Sequence, residues 1–389
     1  MICQKSHRRD FLKQAAALGL ALGAPRQAIH AAIGPTGDPE WRNKQPEMAY
    51  RRLGRTGIMV SEVVSGGDPI RTDNYEHLNL AVDMGLNYLD MAPSYSRGDC
   101  ETAYGKLLAR RSSVREKVFL TTKISGYSSV RYDLYKEIFE TLPDDKKRTI
   151  LGRANEMLAE RGAAKPGYFL EYFPGQKRAL EPAYLSNAMA PDYAHKVDGN
   201  PRFRRFMIES IEGSLKRVGT DYFDIVMCPH GANSPEELET PEIYQTFLQL
   251  KKQGKVRFLG VTAHNDPAGV LKKAVELGHY DVAMVAYNII NGGYVEDAIR
   301  LARAKDVGVI AMKVAMAVAT HHQALQPTPQ WRVDKVNRIV PGSMKPPLKA
   351  YTWTLQNPNV SAVISNLWDQ TFIRENLSVA GKKIDLQPA

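Results

Sequence analysis

Four side chains able to move a proton or grip a carbonyl oxygen sit at the ends of apolar runs. Asp90 ends the run Asn87-Tyr-Leu-Asp90, and Tyr95 follows in the next loop. Lys123 ends Val118-Phe-Leu-Thr-Thr-Lys123, and His230 ends Tyr222-Phe-Asp-Ile-Val-Met-Cys-Pro-His230. A phenol has an ordinary pKa of about 10, so it donates readily at neutral pH only when that value is pulled down. A lysine ammonium beside it does this, and a carboxylate keeps the buried ammonium from standing alone. Asp90 is therefore expected to hold Lys123, Lys123 to lower the pKa of Tyr95, and Tyr95 to protonate a carbonyl oxygen. His230 is expected to donate a hydrogen bond to the same oxygen. Reduction of that carbonyl also needs a hydride, which no side chain supplies.

These residues are far apart in sequence, so a fold must bring strand ends together. The chain alternates strand and helix signals from Ser61 onward. Strands are predicted at Ser61–Gly67, up to Asp90, up to Lys123, up to His230, and at Val256–Thr262, Asp281–Tyr287, Val307–Val314 and Val360–Ile364. Helices are predicted between them at Asn74–Gly85, Cys100–Arg111, Phe203–Val218, Pro241–Gln253, up to Leu277, Tyr294–Lys305, Leu348–Gln356 and Gln370–Val379. Eight apolar, β-branched strands each followed by a helix predict an α/β fold, a (β/α)8 TIM barrel, across residues 49–381. A doubly wound sheet would want a G-x-G-x-x-G turn after the first strand, and Ser65-Gly-Gly-Asp68 is not one. Glycines at 54 and 57 within Met48–Ser61 predict an N-terminal hairpin cap.

Two segments break the rhythm at strand C-termini, where barrel active sites lie. Residues 125–200 form a large insertion after the third strand, with helices expected at Tyr132–Thr141 and Pro143–Arg161 and a tail carrying Tyr168, Phe169, Tyr172 and Phe173. Residues 316–344 form a long loop after the seventh. Both are expected to act as lids or substrate loops.

The ends of the chain read differently. Ser6-His-Arg-Arg-Asp-Phe-Leu-Lys13 resembles a twin-arginine export signal, with the weakly apolar Ala15–Ala24 after it and a small residue, Ala31, at a plausible cleavage point. Residues 1–31 are thus expected to engage the twin-arginine export machinery and send the protein to the periplasm. Residues 32–48 read as a linker and 382–389 as a tail. The formal charge is +10, of which residues 1–31 carry +4. The remaining basic residues are scattered rather than striped, so nucleic acid is not an expected partner. No run of about twenty apolar residues exists to make an ordinary spanning helix. The three cysteines include no C-x-x-C pair, and Cys100 and Cys228 are expected to pack as small apolar groups.

The local pattern Asp90-x-Ala-x-x-Tyr95, followed by Gly98, Glu101 and Ala103-Tyr-Gly-Lys-Leu-Leu108, resembles the aldo-keto reductase family. The resemblance covers roughly residues 50–125 and 201–381. It implies NADP(H), or else NAD(H), extended over the barrel mouth, and reduction of an aldehyde or ketone to an alcohol. It further implies Gly67 and Asp68 beneath the nicotinamide, Thr262 near its carboxamide, and Lys313 at the pyrophosphate. Ser365 and Asn366 would offer donors before the last helix, and Glu375 and Asn376 would touch the adenine. The chain departs from the family at Met312, where a stacking tyrosine is common, and at Met284, where a glutamine is. It departs again at Thr371 and Phe372, where an arginine for the 2′-phosphate is usual; Arg374 lies close by. A small carbonyl or sugar-like substrate is expected, and the aromatic insertion points to a ring-like or sugar-like ligand stacked on Tyr168 or Phe169. The alternative is a nucleotide-binding sensor or regulatory subunit on the same fold, like potassium-channel β-subunits, for which the four polar residues together would have no use.

Overall fold

The computed structural model describes residues 38–163, 165–321 and 326–388. The predicted export signal at 1–31, and the first part of the predicted linker, lie outside them. The rest of that linker is built into the fold. Strand β1 (Glu40–Trp41) pairs in parallel with β3 (Ile58–Ser61), which pairs antiparallel with β2 (Tyr50–Arg52). The Asn43 side chain donates to the Val82 and Leu86 carbonyls, tying this stretch to the helix Leu78–Asp83.

Eight parallel strands close the barrel: β4 (Val63–Gly66), β5 (Tyr88–Asp90), β6 (Phe119–Lys123), β7 (Phe223–Met227), β8 (Val256–Ala263), β9 (Val282–Ala286), β10 (Gly308–Met312) and β11 (Ala362–Asn366). Each neighbours the next, and β11 returns to β4. Inward side chains fill the interior: Val64, Tyr88, Phe119, Ile225, Met227, Val282, Met284, Ile310 and Met312 pack as one cluster with Leu53, Ile58 and Val60 of the hairpin. Leu53 plugs the bottom. A β-carbon on Gly308 would lie 2.7 Å from Leu53 Cδ1, so glycine is required for this close approach. The outward faces pack on the surrounding helices to form the larger core.

Beneath the barrel, fully buried Asp224 gathers three arginines. Its carboxylate accepts from Arg257 at 2.6 Å and Arg42 at 3.2 Å, and lies 3.6 Å from Arg115. The Leu120 amide also donates to it at 2.9 Å, which ties β7 to β6. One buried carboxylate with this many donors is well satisfied, and it fixes the base on which the mouth is built.

The insertion holds three helices, Tyr127–Glu140, Asp144–Arg161 and Leu180–Val197. The third was not expected from sequence, because Pro191 lies inside it and interrupts the helical pattern. Similarly, Gln330–Ile339 forms a helix within the loop 316–344. Strand β11 sits two residues later than predicted, so Ser365 and Asn366 are on the strand rather than beyond it. Strand β7 ends at Met227, leaving His230 in the loop that follows. No helix among the described residues is long and apolar enough to cross a membrane.

Replacing Asp224 by alanine leaves three guanidinium groups facing one another under the barrel. The expected loss is about 3 kcal/mol of folding stability, read as a lower denaturant midpoint with an unchanged m-value.

Candidate active site

Asp90 leaves β5 and Lys123 ends β6, the neighbouring strand, so their side chains meet inside the mouth. Both are about 1% exposed. The Lys123 ammonium donates to the two Asp90 carboxylate oxygens at 2.5 and 2.6 Å and to the Met91 carbonyl at 3.0 Å. All three of its donors are therefore used within the protein. Burial lifts the Asp90 carboxyl above its ordinary value, with the Lys123 ammonium opposing that rise.

Tyr95 follows in a tight loop where Ser96 and Arg97 take left-handed φ values of 47° and 55° before Gly98. Two consecutive non-glycine residues in that region are strained, and the strain sits beside the phenol. The Lys123 ammonium lies 4.7 Å from the Tyr95 ring centroid, and the His230 ring meets it edge-on at 5.8 Å. The expected depression of the phenol pKa is not what the geometry produces. Burial, then the Asp90 and Asp68 carboxylates, push Tyr95 well above its ordinary value. Tyr95 therefore rests as a protonated phenol.

His230 Nδ1 lies 2.7 Å from Ser125 Oγ, which lies 3.1 Å from Ser94 Oγ. Ser125 thus fixes the ring's orientation, and Ser94 continues the chain to the surface. Burial, then the Lys123 charge, hold the imidazole well below its ordinary pKa. It is neutral at physiological pH.

All four residues line one cavity of about 420 Å³ at the C-terminal mouth of the barrel. Gly67, Asp68, Thr262, Lys313, Asn366 and Asn376 line it too. A β-carbon on Gly67 would lie 2.2 Å from the Asp90 carbonyl oxygen, so only glycine lets the floor pass this close to the reacting groups. The Thr262 hydroxyl accepts from the Gly231 amide at 2.6 Å, which leaves its own proton for the cavity. Two predicted residues stand apart from the cavity. Ser365 is buried behind it and accepts from Asn376 at 2.8 Å. Glu375 pairs with Lys345 at the surface. The start of the helix Gln370–Leu377 is already capped: Asp369 accepts from the Thr371 and Phe372 amides at 2.7 and 3.0 Å.

The insertion contributes differently from the expectation. Tyr168 is buried and its hydroxyl bonds Asp266, while Phe169 is absent from the cavity wall. Phe173 lines the cavity instead. Its ring meets the His264 ring edge-on at 5.3 Å, and the Lys313 ammonium lies 5.2 Å from its centroid. His264 went unnoticed in the sequence, although it directly follows the end of β8, where a polar residue of a barrel strand faces the mouth. Trp368 and Tyr351 complete the apolar side. Cys100 and Cys228 are both buried free thiols, and burial raises their pKa far enough to keep them unreactive.

Burial and the Lys313 and Lys123 charges keep His264 neutral as well. A histidine whose folded pKa is depressed leaves stability intact above the unfolded value of about 6.5 and removes it as pH falls toward the folded value. Stability is therefore expected to fall steeply below about pH 6.5. His264→Phe should reduce that slope by up to about 1.4 kcal/mol per pH unit, one proton's worth, in thermal denaturation series between about pH 5 and 6.5.

Comparison with known proteins agrees with this geometry. The aldo-keto reductase AMT2 of Alternaria alternata is 25% identical over 231 residues, 57% of this chain and 51% of that protein, so the chain spans about half the length of this relative. The L-galactose dehydrogenase of Arabidopsis thaliana is 25% identical over 361 residues, 85% of this chain and 88% of that enzyme. The solved structure of an aldo-keto reductase from Klebsiella pneumoniae in complex with NADPH shares the fold at 16% identity, with a TM-score of 0.53 over 85% of this chain and 89% of that one. The model of the aldo/keto reductase family matches residues 65–170 and 181–387, from the first barrel strand to beyond the last helix, and the chain belongs to that family.

Proposed function

We propose that the protein is an NAD(P)H-dependent carbonyl reductase that converts a small aldehyde or ketone to an alcohol. The observation that carries this reading is the meeting of Asp90, Lys123, Tyr95 and His230 in one cavity at the barrel mouth. The cavity suits a nicotinamide on its β4 and β11 side. Gly66 and Gly67 leave a floor without side chains, Asn366 and Asn376 present polar groups beside it, and Thr262 faces it from β8 across the mouth. When bound, the nicotinamide supplies the hydride.

The chain's own residues then do the following. His230 donates from Nε2 to the carbonyl oxygen; in that tautomer Nδ1 accepts, so the single Ser125 hydroxyl proton turns from Ser94 to the ring. Tyr95 gives its proton to the same oxygen as negative charge grows there, so a carbonyl plus hydride and proton becomes the alcohol. The tyrosinate left behind faces the Lys123 ammonium, whose positive charge steadies it until solvent restores the proton. Asp90 keeps Lys123 in place throughout. The sensor reading has no use for these four groups together.

NADP(H) is the favoured cofactor, since the Klebsiella relative was solved with NADPH. NAD(H) is a second reading, favoured by Asp369 capping the last helix and by the absence of an arginine from the cavity wall among the described residues. For the export signal, paired Arg8 and Arg9 support passage of a folded, cofactor-loaded protein to the periplasm.

Tyr95→Phe should lower kcat by about a hundredfold to ten-thousandfold, the range of a positioned general acid, while retaining cofactor binding. Unchanged turnover refutes the mechanism. Titrating the purified protein with NADPH and NADH in parallel measures the preference, and equal affinities refute the choice of NADPH. Replacing Arg8 and Arg9 with lysine should trap the protein in the cytoplasm; periplasmic recovery of that variant ends the export reading.

A further inference from the structure

Each turnover of the proposed reaction leaves Tyr95 without its proton, and the next turnover needs it back. Lys123 is not the route, since the two Asp90 oxygens and the Met91 carbonyl take all three of its protons. A nicotinamide and a substrate filling the cavity of about 420 Å³ also exclude water from the mouth. His230 is the other polar group against the phenol, its ring edge-on to the Tyr95 ring at 5.8 Å.

Behind His230 two hydroxyls stand in line. Ser125 Oγ lies 2.7 Å from Nδ1 and 3.1 Å from Ser94 Oγ. Nδ1 is thus engaged, which leaves Nε2 for the cavity. Ser125 is partly buried and absent from the cavity wall, whereas Ser94 is exposed. The line therefore runs from the reacting side, behind the ring, to solvent. Three separate segments hold it. Ser125 stands two residues beyond Lys123 and opens the insertion, just before Gly126 turns the chain into the helix Tyr127–Glu140 with a φ of 86°. Ser94 lies in the loop before Tyr95, where the left-handed pair Ser96 and Arg97 sets the course of the chain. His230 follows β7, and the next residue, Gly231, donates its amide to Thr262. A hydroxyl with one proton and two lone pairs passes one proton on while accepting another. A neutral imidazole does the same between its two nitrogens, and burial keeps His230 neutral.

We propose that Ser94, Ser125 and His230 form a path that carries a proton from solvent to Tyr95 once the carbonyl has been reduced. The inference rests on the reductase reading and adds two residues to its reaction. At the start Ser94 donates to Ser125, Ser125 to Nδ1, and Nε2 to the oxygen of the new alcohol, whose own proton faces the tyrosinate. That proton passes to Tyr95, and the Nε2 proton replaces it on the alcohol. Nδ1 takes the proton of Ser125, Ser125 takes that of Ser94, and Ser94 takes one from water. Nothing is oxidised or reduced; solvent loses one proton and Tyr95 gains one. The ring now carries its proton on Nδ1, and Ser125 donates to Ser94. When the alcohol has left, water protonates Nε2 and the Nδ1 proton goes outward along the same hydroxyls, which restores the start. The two directions open to the Ser125 proton, toward Ser94 and toward the ring, are thus the two ends of one cycle.

The test follows NADPH oxidation by benzaldehyde in stopped flow, which separates the first hydride transfer from later turnovers. In Ser125→Ala, kcat should fall roughly tenfold further than the first-turnover rate, so that a burst appears. Ser125→Thr keeps a hydroxyl and should recover most of the loss. An equal fall in both rates overturns the proposal, because Ser125 then only orients His230. No fall in either rate overturns it too. If benzaldehyde is not turned over, the imidazole nitrogen resonances of the NADPH-loaded protein, assigned with His230→Gln, give an independent reading. The path needs both tautomers of His230, so the wild type should populate both and Ser125→Ala should collapse the mixture to one. A single tautomer in the wild type, or a mixture unchanged in Ser125→Ala, refutes the path. Failure of the reductase reading shows separately, as an effectless Tyr95→Phe.

Discussion

The bidentate pair between Lys123 and Asp90 is the contact on which the site depends. Two charges taken out of water cost several kcal/mol each, and only close geometry with every donor satisfied offsets that. Here the ammonium has both carboxylate oxygens and the Met91 carbonyl. Burial governs the neighbouring phenol, followed by the Asp90 and Asp68 carboxylates, so Lys123 does not turn resting Tyr95 into a tyrosinate. The consequence is a proton donor that keeps its proton until negative charge develops on the oxygen before it. A lysine without Asp90 would make Tyr95 more acidic at rest and less able to hold the proton for the substrate.

The pair is placed by register, and register is held from below. Asp90 aligns with Thr121 on the next strand, which points Lys123, two residues on, to the same face. Under the barrel, Asp224 ties Leu120 of β6 to β7 and to arginines from three other segments. Above it, asparagines after three successive strands, Asn233, Asn265 and Asn288, receive the insertion through Gln176 and Tyr172. The two ends obey one constraint, that buried polar groups find partners, but serve different purposes. The lower network stiffens the scaffold; the upper one makes the insertion a wall of the cavity, with polar bolts in place of a hinge.

Much of this was legible in the sequence, and the parts that were not share a physical cause. Alternation of apolar runs and helical stretches located all eight barrel strands, with β11 displaced by two residues. Asp90, Lys123 and His230 could be placed together because strand ends converge in any barrel. What escaped depended on side-chain partners that periodicity does not record. Glu375 has a suitable position, yet Lys345 holds it at the surface. Tyr168 looked like a stacking platform, yet Asp266 draws it into the core, and Phe173, five residues later, takes the exposed position in the mouth. The direction of the Tyr95 shift could not be read from a list of neighbours either, because it turns first on burial and then on the Asp90 and Asp68 carboxylates.

The cavity treats its two lysines in opposite ways, and the contrast separates chemistry from recognition. Lys123 is neutralised by the protein itself, so its electrostatic state is independent of what enters the mouth. Lys313 is left without an ion pair among the described residues, beside an aromatic ring and an imidazole with an unmet buried nitrogen. Such a group destabilises the empty site and favours whatever ligand brings negative charge. A cavity whose internal pairs were all closed would bind by shape alone. Leaving one cation open at the end of β10, with only β11 between it and the glycines of β4, gives the mouth a polarity along which an asymmetric ligand can be oriented before hydride arrives. The insertion supplies the third member of that cluster, Phe173, and its fixed attachment is what allows a residue outside the barrel to define the direction of approach.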